Sequence, residues 1–162
     1  MIFLQAFLHS IRLPRKQAMF KLNRIGMDIT VVYMFILIFV VSLPSFINRI
    51  TSADGLGADM PFLMHVIYFF MFYYLPLTIM LFLLISIIAY IGTLIAKALN
   101  RKIRFSILWK MTAYTTTIPF LVYTIAALIF PVGDSYLWIF IIYSMLFIVK
   151  IITVYPRRKT RK

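Results

Sequence analysis

Long runs of apolar residues, separated by short polar and basic segments, dominate the 162-residue chain. Four of these runs reach the length of about 20 residues that a helix needs to cross the hydrocarbon core of a bilayer, which is roughly 30 Å thick. They predict membrane helices over 29–47, 76–97, 109–130 and 136–155. A soluble fold of this size could not bury so much apolar surface. The pattern therefore predicts an all-α integral membrane protein, a bundle of four transmembrane helices.

The second apolar run, from residue 62 to residue 96, is longer than a single crossing needs. As one helix it would extend about 50 Å. Pro76 divides the run, and the missing N–H of a proline allows a helix to bend, so we predict a hinge there. Residues 76–97 alone supply a full crossing of about 33 Å. Residues 62–75 are rich in Phe and Tyr, as in an aromatic belt, and either lie on the outer interface or extend the second helix outwards.

Charge sets the predicted topology. The formal net charge is +13, and a basic excess is also the footprint of nucleic-acid binding. Here, however, the cations flank the apolar runs, as topology-setting charges do. With four crossings, every basic residue but Arg49 lies on one side; with five, at least one large cationic group faces outwards. We therefore expect the long run to cross once, both termini and the basic tail 156–162 to be cytoplasmic, an outer loop over 48–61, and no nucleic-acid partner.

The segment before the first membrane helix, residues 1–28, combines apolar and basic residues. Its apolar residues recur at helical spacing: Leu4, Phe7, Leu8 and Ile11. They predict an N-terminal interfacial amphipathic helix that ends near Pro14. The stripe either lies on the inner leaflet or packs on the protein's own membrane helices. Anionic headgroups of the lipid bilayer attract basic segments, so we expect these residues of segment 1–28 and of the inner loop 98–108 to lie at the membrane surface: Arg12, Arg15, Lys16, Lys21, Arg24, Arg101, Lys102 and Arg104.

Candidate chemistry is sparse. The chain has no cysteine and only four acidic residues, so thiolate metal sites are excluded and paired catalytic carboxylates are not expected. Asp28 is expected to cap the first membrane helix, and Lys150 to reach the inner headgroups with its long side chain. His65, with two aspartates before it, matches no established metal-ligand spacing. We predict no enzyme, no catalytic residue, no metal and no cofactor.

Two groups of residues are candidates for helix packing or for a pathway. The third predicted helix, 109–130, is rich in hydroxyl groups, and four of its residues share one face with Thr115 beside them: Thr112, Thr116, Pro119 and Tyr123. The hydroxyls either form interhelical hydrogen bonds, worth about 1 kcal/mol each, satisfy carbonyls freed by Pro119, or line a substrate path. The second helix carries small residues that allow another helix to approach closely: Ala89, Gly92 and Ala96.

Three stretches together resemble a known bacterial family: "FLHSIRLPRKQAMFKLNRIGMD", a helix that ends in "SLPSFI", and "ILWKMTAYTTTIPFLVYTI". The family is called domain of unknown function 1189, and the best matches are residues 14–26 and 109–119. The resemblance implies a multi-pass protein of the plasma membrane of Firmicutes, broadly related to Yip-type multispanning proteins and linked to sugar (maltodextrin) uptake. No catalytic motif defines the family.

Together these features favour a non-enzymatic accessory or scaffold protein of the plasma membrane. It would bind other membrane proteins, or further copies of itself, through its helices and its basic inner face. The alternative is a transporter or channel component whose path is lined by the threonines of the third helix. The uncharged membrane interior argues against that alternative, because it offers no proton relay or counter-charge.

Overall fold

A computed structural model describes residues 2–51, 61–130 and 136–156, and their regular structure is helical throughout. In chain order the helices are α1 (Ile2–Ile11), α2 (Lys16–Arg24), α3 (Met27–Thr51), α4 (Phe62–Phe69), α5 (Leu75–Ala98), α6 (Phe105–Thr115), α7 (Thr117–Ile129) and α8 (Tyr136–Val154), with a π-helical segment, Phe70–Tyr74, between α4 and α5. The predicted all-α class is confirmed. Most of the predicted outer loop, with Asp54 and Asp59, and nearly all of the basic tail lie outside the described residues.

Three helical stretches within the described residues are long and apolar enough to cross a membrane: Met27–Thr51, Phe62–Ala98 and Phe105–Ile129, of 25, 37 and 25 residues. The last of these is α6 and α7 together. The apolar part of α8, Trp138–Val154, is shorter than these three stretches. The first and third stretches begin before the predicted spans 29–47 and 109–130, because the helical hydrogen bonding continues into the polar flanks of each apolar run.

The long second run is one continuous helix. α4, the π-helical segment and α5 follow each other without interruption and form one helical stretch of 37 residues, Phe62–Ala98. Pro76 follows the π-helical segment within this continuous helix, where its missing N–H leaves one hydrogen bond of the helical ladder unmade. Just before it, the N–H of Leu75 donates to the carbonyl of Phe70, five residues back. This wider π-type turn lies where a hinge was predicted.

Residues 62–75 extend the second helix alongside α3, which is the second of the two predicted alternatives. The rings of Phe46 and Phe69 lie 4.6 Å apart. The hydroxyls of Ser45 and Tyr73 lie 2.7 Å apart. α4 therefore packs against the Thr51 end of α3 as an extension of the same helical hairpin.

α6 is the centre of the bundle. Every residue from Leu108 to Thr117 is buried, and α6 touches α1, α2, α3, α5 and α8. A helix that is buried all round can exist only inside such a ring of neighbours. α6 ends at Thr115 because Pro119, four residues on, has no N–H to bond the Thr115 carbonyl.

The N-terminal segment forms two helices instead of the single predicted one, and they pack on each other and on the bundle. α1 contacts α6 and α7 through small residues, since Ala6 and Ser10 are 0% and 1% exposed. Most of the predicted apolar stripe points away, with Leu4 60% and Leu8 46% exposed, whereas Phe7 is partly buried against the core. The alternative in which the stripe packs on the protein's own helices therefore holds only for Phe7. Small residues allow the closer approach.

Candidate functional site

The predicted threonine cluster lies in the solid centre of the bundle. Thr112, Thr115 and Thr116 are 0%, 2% and 0% exposed. Each hydroxyl donates to a carbonyl three or four residues back in its own helix, at 2.8, 2.8 and 2.7 Å respectively. Hydroxyls used in this way are satisfied within the helix. Thr116 makes one further, weak contact, 3.8 Å from the sulfur of Met34 in α3.

Pro119 and Tyr123, the other members of that predicted face, join α7 to α8. The carbonyl of Pro119 accepts a hydrogen bond from the hydroxyl of Tyr136. The rings of Tyr123 and Tyr136 lie 5.1 Å apart. The structure therefore divides the predicted face into a buried threonine group in and just after α6 and a tyrosine contact near the start of α8.

Two hydroxyl pairs that the sequence analysis did not single out connect α3 to α6 and α7. Thr30 Oγ1 lies 3.0 Å from the hydroxyl of Tyr114, and the hydroxyl of Tyr33 lies 2.8 Å from Thr117 Oγ1. The two tyrosine rings are 5.3 Å apart, and Ser10 of α1 lies beside Tyr33. The three-residue spacing of Thr30 and Tyr33 in α3, matched by that of Tyr114 and Thr117 across the break between α6 and α7, is the sequence signal that could have found them. Because the hydroxyls are paired, the cluster ties helices together.

Two basic residues of the predicted inner loop and its flank bind the carboxyl ends of other helices. Lys110 Nζ donates to the carbonyls of Asn23 and Ile25, at 2.7 and 2.8 Å, just where α2 ends. Arg101 donates through Nη1 to the carbonyl of Tyr155, at the end of α8. Unpaired carbonyls and the helix dipole both favour a cation at these positions. Arg101 is thus hydrogen-bonded within the protein, whereas the sequence analysis predicted it at the membrane surface.

The remaining basic residues that we predicted at a membrane surface are exposed: Arg12, Arg15, Lys16, Lys21, Arg24, Lys102 and Arg104. Asp28 is the second residue of α3, so it lies inside the helix and not at the predicted cap position. Its carboxylate there complements the helix dipole. Lys150 is exposed on α8.

The small residues of α5 form the contact with α6 and α8. Ala89 and Ala96 are 0% and 2% exposed, and Gly92 is also buried. A Cβ added at Gly92 would lie 2.8 Å from Cγ2 of Ile148 in α8. Gly92 is therefore required by close helix packing.

An open apolar groove of about 770 Å³ runs along the seam between α3 and the α4–α5 helix. Phe35, Phe70 and Thr78 are among the residues that line it, together with Tyr74. The Tyr74 hydroxyl donates to the Phe35 carbonyl at 3.0 Å, and Thr78 Oγ1 donates to the Tyr74 carbonyl at 2.8 Å. Both hydroxyls are therefore already hydrogen-bonded within the protein, so the groove presents an apolar surface. The predicted threonines of α6 do not line it.

Metal-ligating side chains do not converge in the part of the chain that the structure describes, where no group of three His, Cys, Asp or Glu residues lies together. His65 is half-buried in α4. The aspartates that precede it in sequence lie outside the described residues.

Comparison with known protein families identifies the family of the chain. The family model described as protein of unknown function (DUF1189) matches residues 56–152, more than half of the chain. That range contains the stretch 109–119 on which the resemblance partly rests, but not the stretch 14–26. Neither a curated protein nor a solved structure matches the chain. The chain belongs to the DUF1189 family of proteins of unknown function.

Proposed function

We propose that the chain is a non-enzymatic, polytopic plasma-membrane protein that acts as an accessory or scaffold for other membrane proteins. The observation that carries the proposal is the solid centre of the bundle, in which residues 108–117 are all buried. Large apolar side chains point outwards, among them Leu83 at 60% and Ile142 at 58% exposure. Contacts with partners are then made on the membrane-facing surface and not through a path along α6.

The proposed topology has four crossings, made by α3, by the continuous α4–α5 helix, by α6 with α7, and by α8, with both termini in the cytoplasm. The 19 residues of α8 extend about 28 Å, close to the thickness of a hydrocarbon core. Basic residues gather at one end of this arrangement, in α2 and after α5, and the positive-inside rule assigns that end to the cytoplasm.

The groove between α3 and α5 supplies a specific place to look for a partner. A photo-crosslinking amino acid at Ile79, a groove residue that is 54% exposed, should capture a membrane protein in intact cells. The matched control is the same amino acid at Leu128, which is 59% exposed on α7 and away from the groove. Equal capture at both positions, or repeated recovery of the chain alone, would contradict a scaffold that binds through this groove.

Reconstitution tests the proposal against the transport alternative. Purified protein in liposomes should move neither sugars nor ions. Flux that disappears when Thr112 and Thr116 are both replaced by Val would refute the scaffold proposal. Val keeps the size of Thr but removes the hydroxyl, so this pair of substitutions isolates the hydrogen-bonding groups of α6. Growth of a deletion strain on maltodextrins tests the implied link to sugar uptake.

A further inference from the structure

The N-terminal hairpin presents one face that is both strongly cationic and apolar. We call this the hairpin face: the exposed sides of α1, of the turn at residues 12–15 and of α2. Its five exposed basic residues are Arg12, Arg15, Lys16, Lys21 and Arg24. The sequence contains no acidic residue before Asp28, and within the described residues none of the five cations forms an ion pair. The described part of the chain therefore does not neutralise their charge.

The cations of the hairpin face are gathered in space as well as in sequence. His9, on α1, lies close enough to Lys21 of α2 and to Arg12 of the turn for both to act on it. Partial burial, followed by the charges of these two residues, lowers the pKa of His9. Residues from both helices thus contribute to one positive region.

Apolar side chains lie beside this charge. On α1, Ile2, Leu4 and Leu8 are 49%, 60% and 46% exposed. On α2, Phe20 is 44% exposed and directly precedes Lys21. Apolar side chains next to Lys and Arg are the composition of segments that bind at the boundary between headgroups and acyl chains. A partner that is only charged, such as a nucleic acid, would leave the apolar part uncovered.

We propose that the hairpin face binds anionic phospholipids. The headgroup phosphates lie against the basic residues of the turn and α2, and the acyl chains lie along the apolar side of α1. The proposal goes beyond the scaffold function and rests only on the location of the chain in a membrane. The fixed position of α2 supports it, because Lys110 holds the end of that helix on the bundle.

Titration with a short-chain lipid tests the proposal. The full-length protein in a neutral detergent should bind dioctanoyl phosphatidylglycerol at least tenfold more tightly than dioctanoyl phosphatidylcholine at low ionic strength. Added salt should reduce the preference. Each basic residue near an anionic lipid surface contributes roughly fivefold in affinity. Replacing Arg12, Arg15 and Lys16 together by Gln should therefore lower the affinity for phosphatidylglycerol at least tenfold.

A matched control separates the hairpin face from net charge. Arg49→Gln removes one charge from an exposed position near the other end of α3 and should change the affinity less than twofold, whereas Lys16→Gln should lower it about fivefold. Equal losses in these two single variants, no loss in the hairpin triple variant, or equally tight binding of glycerol phosphate without acyl chains would overturn the proposal. If the hairpin triple variant does not fold, Lys16→Gln alone decides, and an affinity equal to that of the wild type would overturn the proposal.

Discussion

Lys110 provides the sharpest test of how the N-terminal hairpin is attached. Lys110 is 9% exposed as a residue, and its ammonium group donates at 2.7 and 2.8 Å to the carbonyls of Asn23 and Ile25. Hydrogen bonds to charged groups are worth about 1.5–3 kcal/mol each, and dehydration of the buried charge offsets part of that gain. We therefore expect Lys110→Met to reduce the stability of the attachment of α2 by about 2–4 kcal/mol.

Hydrogen exchange measures this attachment locally. Amides of α2, Lys16–Arg24, exchange when the helix opens, and their protection reports the free energy of that opening. Since 1.4 kcal/mol corresponds to a factor of ten, Lys110→Met should accelerate exchange in α2 by about 30- to 700-fold. The amides of α7, at the far side of the break at Thr116, should change much less.

Two further variants complete that experiment. Lys102→Met removes the same charge from an exposed loop position and should leave the exchange of α2 unchanged. Lys110→Arg keeps a positive donor and should retain most of the protection. If Lys110→Met leaves α2 as protected as in the wild type, the two carbonyl contacts do not hold the hairpin and the reasoning fails.

Two packing predictions follow from the centre of the bundle. Gly92→Ala places a Cβ 2.8 Å from Ile148 Cγ2 and should lower the free energy of unfolding of the purified protein in detergent by about 1–3 kcal/mol. Adding Ile148→Ala should restore part of that loss. A Gly92→Ala variant more stable than the wild type would contradict the close contact. Tyr114→Phe and Thr30→Val should each cost about 1 kcal/mol, and the double variant less than their sum, because both remove the 3.0 Å hydroxyl contact. Strict additivity in the same unfolding assay would show that the two hydroxyls do not interact.

The positions of the apolar helices could be predicted well from the sequence. Span length and the placement of charge are properties of each run taken alone, so the predicted fourth helix over 136–155 differs by one residue from Tyr136–Val154. Pro76 marked a real irregularity. Its form was not predictable from composition, because a wider hydrogen-bonded turn and a hinge can both accommodate a proline.

Contacts between distant segments could not be predicted in the same way. Lys110 lies at the start of the predicted third helix, 109–130, yet its partners lie more than 80 residues earlier in the chain. The stripe of α1 was identified correctly as apolar, but its spacing does not say which side meets the bundle. The side that meets the bundle is the one with Ala6 and Ser10, because their small side chains let α1 approach the bundle closely. The threonines of α6 were predicted to bond to other helices, whereas their own carbonyls are nearer acceptors.

Cysteine labelling in intact cells tests the central claim, a single crossing by the continuous α4–α5 helix. The chain contains no cysteine of its own, so one introduced thiol gives an unambiguous signal. Phe62, at the start of α4, is 66% exposed, and Lys102 is exposed just beyond the end of α5. With a membrane-impermeant reagent, Phe62→Cys should be labelled in intact cells and Lys102→Cys only after permeabilisation. Labelling of Lys102→Cys in intact cells would contradict the account.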